Sequence, residues 1–169
     1  MRLFHGSKER LKRFGGSTRS EVHLGSLEQA RMRNSAFIHE VEVPDGLRFH
    51  RVRDNGEIGK TVYDRARRSG YDGVVYLNRY EGLTTEVIER LASAGRLGDD
   101  LDRISDAAFA RLVPEAHDSY AVFDPGKCRI IAVHAKADMS KPASSSLEDA
   151  GFDIQEMPGE KMSTGPAGR

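Results

Sequence analysis

Strand-like and helix-like segments follow one another along this chain in no regular alternation, and that irregular order constrains the fold more than any other feature. Residues 36–43 set Phe37, His39, Val41 and Val43 against Ile38, Glu40 and Glu42, the period of a strand with one buried face. Residues 2–5, 22–24, 47–52, 71–77, 119–123 and 128–135 read as further strands, the last two joined by a turn at Asp124-Pro125-Gly126. Pro44-Asp45-Gly46 ends the alternating strand as another turn. Helical spacing runs over 27–33, where Ser26 is the expected N-cap and Gln29 its capping-box partner. It recurs over 59–68, with Val62 and Ala66 inward, Arg65, Arg67 and Arg68 outward, and Gly70 as the stop. A third helix is expected over 84–94, with Val87, Ile88 and Leu91 on one face. A fourth is expected over 101–112, with Ile104, Ala108 and Leu112 spaced by four and Pro114 behind it. Without a repeating βαβ order the chain reads as α+β rather than as a doubly wound sheet.

The 169 residues fit one domain, 1–137, followed by a polar and flexible tail, 138–169. Pro142 to Ser146 and Ser163 to Pro166 give that tail its linker composition, and 147–157 is its one candidate element. Lys and Arg number 26 and Asp and Glu also 26, a balance that argues against non-specific nucleic-acid binding as the main task. No apolar run reaches the ~18 residues of a membrane span, so no membrane association is expected. The start has no apolar signal region. The single cysteine, Cys128, forbids an internal disulfide, and the expected compartment is the reducing cytoplasm. Cys128 itself reads as a buried structural thiol.

Three segments carry hydrogen-bonding side chains where a plain strand would carry apolar ones. They are Phe4-His5-Gly6-Ser7, Val22-His23-Leu24-Gly25-Ser26, and Asp118-Ser119-Tyr120-Ala121-Val122-Phe123-Asp124-Pro125. Taken singly, His5 reads as a satisfied structural histidine, Gly6 as a turn residue, and Ser7 and Ser26 as caps. Taken together they suggest a grip on a flat amide and a ribose, because local preference and strand geometry disagree at all three. The six histidines show no metal-binding spacing and no cysteine pair, so no metal site is expected. Neither a phosphate loop nor a G-x-G-x-x-G motif is present, and no G-x-S-x-G marks a nucleophile.

In their order along residues 2 to about 135 these motifs resemble the ADP-ribosyltransferase superfamily, and its small phage and bacterial members most. The resemblance rests on His5-Gly6-Ser7, His23-Leu24-Gly25-Ser26, Gln29-Ala30 with Arg33, Gly70 to Asn78 with Glu81, and Asp118 to Pro125. It implies two small, mostly antiparallel sheets forming a cleft, with peripheral helices, and NAD as co-substrate. His5 would hold ribose hydroxyls, and the Gly6 backbone would bind the nicotinamide carboxamide at a place where a Cβ would interfere. His23 would pack on the nicotinamide. Ser7, Gly25, Ser26, Ser119 and Tyr120 would line the site, and Arg33, or Arg31, would meet the pyrophosphate.

The resemblance further implies cleavage of the nicotinamide–ribose bond, with a carboxylate stabilising the positive charge that develops. Ser119 stands where polymerase relatives carry that glutamate. Asp118 is favoured as its substitute over Glu81, although in a plain strand it points to the opposite face from Ser119. The expected activity is mono-ADP-ribosylation of a macromolecule, a protein in preference to a nucleic acid. The alternative is an inactive module of the same kind that binds a nucleotide or a partner. The oligomeric state is open.

Overall fold

The computed structural model of the chain describes residues 1–15, 21–56, 58–79, 84–97, 101 and 103–138. Its architecture is α+β, with two small sheets and helices packed around them. The three-stranded sheet has the order β1 (Arg2–Ser7), β3 (Phe37–Glu42), β7 (Arg129–Ala135), and all its pairs are antiparallel. The four-stranded sheet has the order β2 (Val22–Leu24), β6 (Asp118–Val122), β5 (Gly73–Leu77), β4 (Phe49–Arg51). Its pairs are antiparallel except β4 with β5, which the helix α2 (Lys60–Arg68) connects in parallel. The alternation read in 36–43 holds in part: Val41 and Val43 go inward and meet Val22, Leu24 and Val122 of the other sheet, closing a core with Cys128, but Ile38 of the expected outer row is fully buried too, beside Gly6 where α1 packs on the sheet. Burial raises the Cys128 thiol to about 11, as befits a structural residue.

β6 and β7 follow one another through a 3-10 turn, Pro125–Lys127, yet they do not form a hairpin. β6 lies in the four-stranded sheet and β7 in the three-stranded one. Asp124 caps the turn by accepting the Gly126 N–H at 3.1 Å, and Lys127 pairs with Asp72 at 2.6 Å. The turn therefore passes the chain between sheets, which a reading of the turn residues alone does not disclose.

Local chemistry explains the helices. α1 (Leu27–Met32) starts on the expected capping box: Gln29 N–H donates to Ser26 Oγ at 3.2 Å, and Ser26 N–H donates to Gln29 Oε1 at 2.7 Å. α2 packs Tyr63 and Ala66 onto Val74, Tyr76 and Ala121, and Gly70 takes up φ +76° behind it. Arg67 is not outward. It lies over the Phe123 ring at 4.4 Å and reaches Glu21 at 3.4 Å, because its long stem can cover an aromatic face. α3 (Thr85–Ser93) starts on Thr84 and buries Val87 and Leu91, while Ile88 stays exposed. α4 begins later than its periodicity suggests, spanning Asp106–Leu112 under the Ser105 cap. Its buried residue is Phe109 rather than the row spaced by four. Among the described residues no helix is long and apolar enough to cross a membrane.

α4 and the residues just before it are tied to the sheet by one buried arginine. Arg79 follows β5 and is 1% exposed. Its guanidinium donates to Leu101 O at 2.7 Å, to Ile104 O at 3.0 Å and to Asp106 Oδ1 at 2.5 Å, and it stacks on Phe109. Its backbone N–H reaches Asp54 at 3.0 Å.

Candidate functional site

The first two polar motifs meet. Phe4 N–H donates to Gly25 O at 2.9 Å and Gly25 N–H to Phe4 O at 3.0 Å, an isolated antiparallel bridge that joins β1 to β2 and so one sheet to the other. Backbone groups alternate sides along a strand. Met1 pairs with Val43 across the β3 edge and Phe4 with Gly25 across the β2 edge. Gly6, two residues beyond Phe4, therefore turns its N–H and C=O toward β2, where the bridge has already ended. The opposing carbonyl, that of His23, is bonded instead by the His5 ring: Nδ1 lies 2.9 Å from His23 O. The imidazole stands where the next ladder bond would be, and the described β1–β2 pairing stops at the bridge.

The tautomers are assigned from the partners. A carbonyl oxygen can only accept, so His5 carries its proton on Nδ1 and presents Nε2 as an acceptor. Half-buried His5 is held below the ordinary imidazole range mainly by desolvation, with Arg33 and His23 adding to the effect and the bond to His23 O opposing it. His39, fully buried on β3 directly opposite His5, is fixed from both ends. Its Nε2 accepts the Leu11 N–H at 2.9 Å and its Nδ1 donates to His5 O at 3.3 Å. A line of hydrogen bonds thus runs from Leu11 through His39 and His5 to His23, crossing from one sheet to the other. The loop that supplies Leu11 also brings Phe14 edge-on to the His5 ring, centroids 5.6 Å apart. His39 and Phe14 are the residues that reading the sequence missed here. The alternation placed His39 on the inward face, but its partners lie 28 and 34 positions away.

The other expected residues fall into distinct settings. The Cβ that Gly6 lacks would lie 2.7 Å from Ala30 O, so packing of α1 accounts for this glycine, whatever approaches its backbone. A Cβ on Gly25 would lie 2.2 Å from Gln29 Oε1, the capping-box oxygen. Ser26 is engaged in that box, and Gln29 Nε2 extends it to His117 O at 3.1 Å. Ser7 Oγ accepts the Glu9 N–H at 3.1 Å and shapes the exit from β1. Arg33 caps the end of α1, and Arg31 lies in its last turn. The His23 ring stands 6.4 Å from Tyr63 of α2, so the motifs converge through backbone and the His5 side chain rather than ring to ring.

β5 and β6 pair in unbroken register, so Asp118 and Ser119 do point to opposite faces. Ser119 is buried and its Oγ accepts from Asn78 Nδ2 at 3.0 Å. Asp118 shares its face with Tyr120 and is clasped by both terminal nitrogens of Arg51, one of them at 3.0 Å. Tyr120 packs edge-on to Phe49, and desolvation followed by the Asp118 charge raises its phenol. Glu81 lies outside the described residues, as does the candidate element at 147–157. Among the described residues no group of three or more His, Cys, Asp or Glu is placed to hold a metal ion.

Compared with models of known protein families, with curated proteins and with solved structures, the chain finds no match.

Proposed function

We propose that the chain binds NAD where the pairing of β1 with β2 stops and transfers its ADP-ribose to a macromolecular acceptor, a protein rather than a nucleic acid. The observation that carries this reading is the replacement of a ladder bond by the His5 ring. It leaves the Gly6 N–H and C=O facing the gap, a donor and an acceptor side by side that match a carboxamide. It also leaves His5 Nε2 as an acceptor for a ribose hydroxyl. Arg33, whose charge is felt at His5, is the candidate partner for the pyrophosphate. Ser7 lines the same strand end. Gly25 and Ser26 act from behind, by holding β2 and α1 in place.

In the proposed reaction the bond between nicotinamide nitrogen and ribose C1′ breaks, and nicotinamide leaves with the electron pair. A nucleophile of the acceptor bonds to C1′ and gives up its proton. Asp118 is the candidate carboxylate for the positive charge that develops on the sugar, and Arg51 holds it oriented until substrate arrives. The compartment proposed for this activity is the cytoplasm.

A second reading has support of its own. Asp118 is already paired and Ser119 is buried, which favours a module that binds the nucleotide without turning it over. Incubation with labelled NAD and a cell lysate separates the two readings. Transfer predicts protein-borne label and released nicotinamide, both lost in His5→Ala and Asp118→Asn. Binding alone predicts neither label nor nicotinamide from the wild type while NAD still binds.

A further inference from the structure

We propose that His39 is a positioning residue that clamps the loop 8–15 over His5, and that it does so only as the neutral imidazole. The inference rests on the reading above for what the loop covers, but the clamp itself stands on geometry alone. Leu11 N–H needs an acceptor, and His39 Nε2 at 2.9 Å is the one it has. The opposite nitrogen is committed to His5 O. A second proton on His39 would set two N–H groups against each other across the Leu11 contact, in a place with no exposed surface.

The surroundings give that proton no counter-charge. His5 faces His39 from β1, and burial and the His5 charge both hold the ring below its ordinary range, opposed by the bond to His5 O. The loop brings exposed Arg10 and Lys12 on either side of Leu11. β7 sets Val133 opposite His39. The neighbouring carboxylate Glu40 lies on the other face of β3, with Arg2 at 2.9 Å and His134 at 3.8 Å. Acidification therefore releases the Leu11 amide and, with it, the Phe14 contact on His5 and the basic run Lys8, Arg10, Lys12 and Arg13. The clamp is closed at neutral pH and opens below the ordinary imidazole range.

Amide exchange at Leu11, corrected for the intrinsic pH dependence of exchange, tests this alongside the His39 ring nitrogen shifts. In the wild type, protection should fall about tenfold or more between pH 7.5 and pH 5, in step with the ring titration. His39→Gln places an amide oxygen near the position of Nε2 and should stay protected at both pH values, whereas His39→Leu should lose protection at both. Protection that persists through the titration of the wild-type ring, or that falls equally in His39→Gln, overturns the proposal. If His39→Leu does not fold, the wild type and His39→Gln decide it. No nucleotide enters the measurement, so its outcome is independent of whether NAD binds.

Discussion

Arg79 and His5 are both polar residues near strand ends, and the difference between them separates a structural post from a candidate site. Every nitrogen of the Arg79 guanidinium has a protein acceptor, its face lies on Phe109, and 1% of it is exposed. His5 is half-buried, uses one nitrogen to bridge two sheets, and leaves the other with no protein partner among the described residues. A buried charge that is fully bonded specifies where helices sit. A half-buried ring with an unused acceptor beside unpaired strand backbone has capacity left for a ligand.

The largest effect tests the first half of that contrast. Arg79→Ala removes the tie between β5 and the α4 region and leaves Asp106 and two carbonyls without their donor. It should cost about 3 kcal/mol in urea unfolding. A loss below about 1 kcal/mol would show that α4 holds without it. Gly6→Ala comes next. The added Cβ meets backbone rather than a movable side chain, so α1 must shift, at about 2 kcal/mol by the same assay. A variant as stable as the wild type would mean that α1 is not seated on β1 as described. Ser26→Ala removes one half of the capping box and should cost about 1 kcal/mol. Asp118→Asn should cost less than about 1 kcal/mol, because its pair with Arg51 is half exposed. That variant must nevertheless lose all labelling if Asp118 serves the reaction, and full labelling would remove it from the mechanism.

Acid should act on the His5 side of the contrast. Both His5 and His39 are held below the ordinary value of about 6.5 in the fold, so the unfolded chain takes up protons first. Their contribution to stability is complete above about pH 6.5 and is lost as pH falls toward the folded values. Urea midpoints at pH 7.5, 6 and 5 should trace that decline, and His39→Gln should remove part of it. An unchanged slope in His39→Gln would mean that the ring is not buried in its neutral form.

What was legible in the sequence was local. The Ser26–Gln29 box and the Gly70 stop lie within a few residues of the groups they satisfy, and each formed as read. His39, Val41 and Val43 of the inward row of β3 were equally plain, but the burial of Ile38 on the other face was not, because it depends on where α1 packs. The α+β class followed from the order of segments. Partnerships across the fold were not legible. Nothing in Asp124-Pro125-Gly126 reveals that β6 and β7 serve different sheets, because a turn fixes direction and not the neighbour a strand meets later. Arg67 looked like a solvated helix residue and stacks on Phe123 because β6 ends beneath it. Arg79 carries no local mark of burial, and its acceptors lie 22 to 27 positions on. At the candidate site, the motifs singled out His5 and Gly6, but the bond from the His5 ring to His23 O is visible only in the fold.

The most direct test titrates NAD into the ¹⁵N-labelled protein and follows the Gly6 amide and the His5 ring nitrogens. Saturable shifts at both, absent from His5→Ala although that variant stays folded, are the expected result. A folded wild type whose Gly6 and His5 signals do not move at saturating NAD would contradict the account.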